Sequence, residues 1–99
     1  MNRHIELYPD ENILPSNIAI GDSLFVIADT TTGAFSVEMP DADSLVGVHL
    51  LIMKKGSPTL TLTARTDLNQ TINGAASLAI TVAYNGYTIL SDGNNLYAM

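Results

Sequence analysis

The sequence predicts an all-β fold, an antiparallel β-sandwich or jelly-roll-like barrel built from hairpins, with a short N-terminal arm. Three observations predict it. Several segments alternate apolar and polar residues with a period of two. Turn-forming dipeptides recur at roughly 8–12-residue spacing, as in sandwiches and barrels. No window of helical length carries a 3.6-residue period with caps.

The elements follow in order. Residues 1–21 form the arm. Pro9, Asn12, Pro15, Asn17 and Gly21 break any long element there, yet Ile5, Leu7, Ile13, Leu14, Ile18 and Ile20 are too apolar for a free tail. The arm is therefore expected to dock on the body or on a neighbour, and residues 22–99 form the all-β domain. Residues 24–28 (Leu-Phe-Val-Ile-Ala) are apolar on both faces, which suits a central strand or one that meets another chain. Asp29 to Gly33 is a turn. Residues 34–39 alternate, with Phe35, Val37 and Met39 inward. Pro40 to Gly47 is a longer connection with room for one helical turn. Residues 48–53 are again apolar on both faces. Lys55 to Pro58 turns the chain into the strictly alternating residues 59–65, with Leu60, Leu62 and Ala64 on one side and threonines on the other. Residues 78–84 place Leu78, Ile80, Val82 and Tyr84 on one face. Asn73-Gly74, Asn85-Gly86 and Asp92-Gly93 accept positive φ in tight turns, and Asn85-Gly86 gives the strongest hairpin expectation.

Composition removes whole classes of function. The 99 residues carry a formal net charge of −6, and only 14% are charged, against roughly 25% in an ordinary soluble domain. The only cations besides histidine are Arg3, Lys54, Lys55 and Arg65, too few to track phosphates, so no nucleic-acid partner is expected. The chain has no Cys, which excludes a disulfide scaffold, a thiolate zinc module and a Cys nucleophile. High apolar content with low charge excludes intrinsic disorder. Glu6 and Asp10 stand where a signal peptide needs an apolar run, and residues 48–53 are far too short to span a membrane. The expectation is a soluble chain made in a cytoplasm, with no membrane partner.

No catalytic, cofactor or metal site is expected. His4 and His49 are the only histidines, and His49 sits mid-strand, where a packed or interfacial residue is the ordinary reading. There is no Gly-x-Ser-x-Gly elbow and no phosphate-cradling Gly-rich loop. Asp41-x-Asp43 and Asp67-x-Asn69 lack the oxygen count and the closing bidentate acid that calcium needs. Glu38, Asp41 and Asp43 are the carboxylates available for glycoside hydrolysis, and nothing lodges them in a cleft. Tyr84, Tyr87 and Tyr97 suit the rim of a core or interface better than a sugar-stacking patch.

The apolar excess is the informative feature. Val48, Leu50 and Ile52 on one side and His49, Leu51 and Met53 on the other are hard to cover within one small monomer. One such face is expected to meet another copy. The candidate subunit-interface residues are Phe25, Ile27, His49, Leu51 and Met53. Candidate contacts for a larger partner lie in the arm, at Ile5, Leu7, Tyr8, Ile13 and Leu14.

The order of segments resembles a known module. Residues 21–31 (Gly-Asp-Ser-Leu-Phe-Val-Ile-Ala-Asp-Thr-Thr) lead to 37–42 (Val-Glu-Met-Pro-Asp-Ala). Gly47, a long apolar strand and an alternating Thr strand follow. The chain then runs through 71–77 (Thr-Ile-Asn-Gly-Ala-Ala-Ser) to 89–98 (Ile-Leu-Ser-Asp-Gly-Asn-Asn-Leu-Tyr-Ala). Over residues 21–98 this resembles a β-rich module of tailed-bacteriophage virion structural proteins, found in small capsid decoration proteins and fibre tips. Where such modules usually carry Trp before the last strand, this chain has Leu96. The resemblance implies a homotrimer in the virion, with a phage major capsid protein or another virion protein as partner. A free-standing chain of this length suits a decoration (cement) protein that stabilises the head. The alternative is a tail-fibre or appendage tip that binds a host receptor through loops 29–33, 66–70 and 92–95.

Overall fold

A computed structural model describes residues 2–99. The protein is mostly β, with two mixed sheets around one core. Its elements are β1 (Asn2–Leu7), β2 (Ser23–Asp29), β3 (Phe35–Glu38), the 3-10 turn η1 (Ala42–Leu45), β4 (His49–Lys55), β5 (Leu60–Thr63), the 3-10 turn η2 (Thr66–Leu68), β6 (Ser77–Ile80), β7 (Gly86–Ser91) and β8 (Leu96–Ala98). The large sheet runs β1-β2-β4-β7-β8 and the small one β3-β5-β6.

The expected antiparallel hairpin arrangement is corrected. β1 pairs with β2, β2 with β4, and β3 with β5, all in parallel. Between these strands, antiparallel pairing occurs at β4–β7, β5–β6 and β7–β8. The reason lies in what the turns do. The turns at 29–33 and 55–58 carry the chain from one sheet to the other instead of folding it back. A strand that leaves a sheet and later re-enters it beside its predecessor can run parallel, as β2 and β4 do.

Asn85-Gly86, the strongest hairpin expectation, is likewise a crossing point. The strand expected at 78–84 ends at Ile80, so Val82 and Tyr84 are exposed instead of inward. Asn85 N–H closes a turn on Val82 C=O at 3.1 Å, and Tyr84 takes a positive φ of 63°. Tyr84 N–H then donates to Lys54 C=O at 2.8 Å, delivering the chain to β4 of the other sheet. Gly86 is required there because a Cβ would lie 2.3 Å from Ile52 O. The true tight hairpin is β7–β8, closed by Asp92, whose Oδ1 accepts Asn94 N–H at 2.9 Å and Asn95 N–H at 2.8 Å.

The period-two readings place the core correctly in β3 and β5, and the fold sorts the two apolar faces of β2 and β4. Leu24, Val26 and Ala28 of β2, Leu50 and Ile52 of β4, Val37 of β3, and Leu60 and Leu62 of β5 are buried in one cluster. The helical turn expected after Pro40 is η1, capped by the Asp41 carboxylate on Asp43 N–H at 3.0 Å. The arm docks on its own body. β1 is an edge strand of the large sheet, and Leu7 and Leu14 join the core. Among the described residues, one charged side chain is buried outright. Lys54 shares the inward side of β4 with Leu50 and Ile52, opposite the small Ala28, and its Nζ donates to Ser57 C=O at 3.0 Å.

Candidate functional site

Alternation in the large sheet sends one set of residues inward and leaves the other on an outer face. Register then decides which outer residues meet. His4, Phe25, Leu51 and Thr88 align across β1, β2, β4 and β7. Glu6, Ile27, Met53 and Gly86 form the next row. Asn2, Ser23 and His49 form the row on the other side. Leu90 and Tyr97 extend this face over β7 and β8, since their neighbours Ile89 and Leu96 are buried. All five candidate interface residues, Phe25, Ile27, His49, Leu51 and Met53, therefore share one outward surface. Phe25 is 38% and Leu51 44% exposed, large values for apolar side chains in the middle of a sheet.

The surface has a centre and a rim. Phe25, Ile27, Leu51, Met53 and Leu90 are apolar. His4, Glu6, Ser23, His49 and the register pair Asp29 and Lys55 surround them. The His4 ring stacks on Phe25 with centroids 5.7 Å apart and an interplanar angle of 24°. His4 Nε2 lies 4.0 Å from Glu6 Oε2. A shallow depression of about 670 Å³ opens between Asn2, His4, Phe25, His49, Leu51 and Thr88. An apolar centre with a polar rim is the anatomy of a protein interface.

β1 is fastened so that it completes this surface. Arg3 Nη1 donates to Asn17 Oδ1 at 3.0 Å, and Nη2 donates to Asn17 C=O at 2.8 Å and to Asp22 Oδ2 at 3.4 Å. Asp22 also accepts Ala19 N–H at 3.0 Å, and that bond, helped by Arg3, holds its carboxyl below the usual range. The loop between β1 and β2 is thereby tied to both strands.

The other candidate positions are dispersed. Of the arm residues, Ile13 is 85% exposed and Tyr8 half-exposed, whereas Leu7 and Leu14 are buried and Ile5 packs against the core. Leu7 and Leu14 are thus committed to the chain's own interior and not to a partner. Tyr87 and Tyr97 point to opposite sides of the large sheet, since Tyr87 packs on the core, and no common tyrosine patch forms. Of the three loops, 66–70 and 92–95 end side by side, where Thr71 N–H and Oγ1 both donate to Asn95 Oδ1 at 3.0 Å, but 29–33 lies apart from them. Thr30 bonds Lys55 at the end of β4, whereas 92–95 closes β7 near the start of that strand.

Asp41, Asp67 and Glu38 are engaged in local contacts. Asp41 accepts Gln70 Nε2 at 2.8 Å and Asp43 N–H, which hold its carboxyl low. Asp67 is chelated by Arg65 through Nε at 2.9 Å and Nη2 at 2.8 Å, and this pairing holds Asp67 low and Arg65 high. Glu38 lies 3.8 Å from Arg65. Among the described residues no group of three or more His, Cys, Asp or Glu is arranged to hold a metal. Among them too, no helix is long and apolar enough to cross a membrane.

Sequence reasoning missed His4 and Leu90 as members of the outer face, and offered Tyr97 only as one of three tyrosines for the rim of a core or interface. The alternation of Thr88 and Leu90 against Tyr87 and Ile89 carried the signal for Leu90. His4 and Tyr97 needed the register of two edge strands. The buried Lys54 was also missed, although it has the same parity as Leu50 and Ile52. No protein-family model matches the chain, and neither does any curated protein or solved structure.

Proposed function

We propose that this is a non-enzymatic structural subunit that self-associates through the outer face of the large sheet. Following the resemblance read from its sequence, three copies form a phage capsid decoration protein. It stabilises the head by burying apolar surface, without chemistry. The two mixed sheets are read as the layers of a β-sandwich. One observation carries the reading: Phe25, Ile27, Leu51, Met53 and Leu90 stand together on a surface that the chain itself leaves open. Burying such side chains is favourable by roughly 25 cal/mol per Å² of apolar area, and a closed homo-oligomer is the usual way to cover a repeated patch. The exposed Ile13 and Tyr8 of the arm remain available to a capsid protein.

The test starts with mass. Light scattering on a size-exclusion peak is expected to give three times the 10.6 kDa chain mass, or a multiple of that. Leu51→Asp lies at a half-exposed position, so it is expected to keep the fold by circular dichroism while losing this association, because an unpaired carboxylate would be buried at the contact. A variant that assembles like the wild type overturns the face assignment. Purified protein is then mixed with bare capsids and, separately, with host cells. Binding to cells but not to capsids replaces the decoration role with receptor binding.

A further inference from the structure

The two sheets have four lateral edges, and three are managed. At β8, Leu96 N–H donates to Thr71 C=O and Leu96 C=O accepts Asn73 N–H. The Asn73 side-chain amide then exchanges both bonds with Ala98, acting as one more residue of strand. At β3, Asn12 Nδ2 from the arm donates to Ser36 C=O at 2.8 Å. The β1 edge carries Arg3, His4 and Glu6, charged and polar groups of the kind that discourage strand addition. The fourth edge, β6, has none of these devices.

The unused groups on β6 can be named. Ala64 N–H bonds Ala76 C=O at 2.9 Å, and the same register pairs Leu62 with Leu78 and Leu60 with Ile80. In an antiparallel ladder, bonded residues alternate, so the N–H and C=O of Ser77 and Ala79 point away from β5, and the same alternation continued one residue past the last pair, Leu60 with Ile80, gives Thr81. All three residues are exposed, and no backbone bond from them is found among the described residues. No charged residue occurs from Leu68 to Ser91, in a chain of net charge −6. A second copy brought to this edge would therefore not set its acids against those of the first there.

We infer that β6 pairs antiparallel with β6 of a second copy across a two-fold axis at Ala79, joining two small sheets into one. The sequence around Ala79 is self-complementary in this register. Ser77 faces Thr81 of the second copy, Ala79 faces Ala79, and every outward N–H and C=O of these residues is bonded. Leu78 then lies beside Ile80 of the second copy as a close non-bonded pair, on the side that faces the core. The apolar layer of one subunit thus continues into the next. Small Ser and Ala side chains fill the opposite face and present no steric obstacle. This contact is independent of the outer face of the large sheet, which lies on other strands.

Hydrogen exchange at single amides tests it on the full chain. The amides of Ser77, Ala79 and Thr81 are expected to slow at least about tenfold as protein concentration rises from micromolar to millimolar. Leu51→Asp, which disables the other contact, is expected to leave this slowing unchanged. Ala79→Pro removes one outward donor and no bond of the β5–β6 ladder. It is expected to abolish the slowing at Ser77 and Thr81 while Leu78 and Ile80 stay protected, which reports that the fold is kept. Exchange at Ser77, Ala79 and Thr81 that is rapid at every concentration overturns the inference, whatever mass the protein shows. Slowing that appears only when another protein is added overturns it in favour of a foreign strand.

Discussion

Lys54 poses the sharpest question at the scale of one residue. Its side chain is fully buried, and its Nζ donates to a single backbone oxygen, Ser57 C=O. Taking an ammonium out of water costs several kcal/mol, and one carbonyl does not replace a hydration shell. The aliphatic stem fills the space opposite Ala28, so the methylenes contribute packing while the nitrogen detracts. Lys54→Met keeps the volume and drops the amine. It is expected to be at least as stable as the wild type, within or above it by about 1–3 kcal/mol in urea unfolding. A loss of stability would mean that the Lys54 to Ser57 bond contributes more than desolvation removes. Parity alone made this burial legible, since Lys54 continues Leu50 and Ile52. Composition argued the other way, because lysine is almost never fully buried.

At the scale of elements, the β6-to-β7 crossing decides the topology. Tyr84 and Asn85 bond the backbone of Lys54 on both sides, and Gly86 sits against Ile52 O and Met53 Cα. A Cβ at Gly86 would meet backbone, which cannot swing away as a side chain can. Gly86→Ala is therefore expected to destabilise by about 1–3 kcal/mol, the usual cost of overpacking, with a lowered melting temperature and unchanged circular dichroism. A neutral effect would show that β7 can shift along β4 at little cost. Asn-Gly announced that the chain changes direction here. Which strand follows was not local information, because the same dipeptide serves a two-residue hairpin and a crossing between sheets. Strand identity in β3 and β5 was legible for the opposite reason: each buries one side, and period two records that side directly. β2 and β4 were legible only as apolar runs, and which of their two apolar sides enters the core was decided by the fold.

For the whole molecule, the balance of charge governs acid stability. Asp22, Asp29, Asp41, Asp67 and Asp92 all have carboxyls held below the usual range. The first cause at each is a bond from Ala19, Thr31, Gln70, Arg65 or Asn95 respectively. A depressed carboxyl binds its proton later in the folded state than in the unfolded one. Its contribution is present above the unfolded value of about 3.9 and is lost as pH falls through the folded value. The melting temperature is accordingly expected to hold near neutral pH and to fall below about pH 4. Asp92→Asn, which weakens the clamp on Asn94, Asn95 and Tyr97, is expected to flatten part of that fall. A melting temperature that does not change down to about pH 2 would contradict the linkage.

The sequence by itself determined that the protein is mostly β, which side of the alternating strands β3 and β5 enters the core, and where the chain turns. Those properties follow from side-chain alternation and from backbone preference, both written within a few residues of each position. It also located the apolar excess in residues 24–28 and 48–53. Only the tertiary structure decided that these segments lie side by side and parallel. It thereby put Phe25 beside Leu51 and Ile27 beside Met53, with His4 added from the arm. It alone decided that β8 is closed by Asn73 while β6 is left open. Pairing joins residues far apart in the chain, and the bonds that select a partner strand are made by backbone groups identical in every residue. Local sequence therefore records that a strand exists, and only the assembled fold records which strand lies beside it.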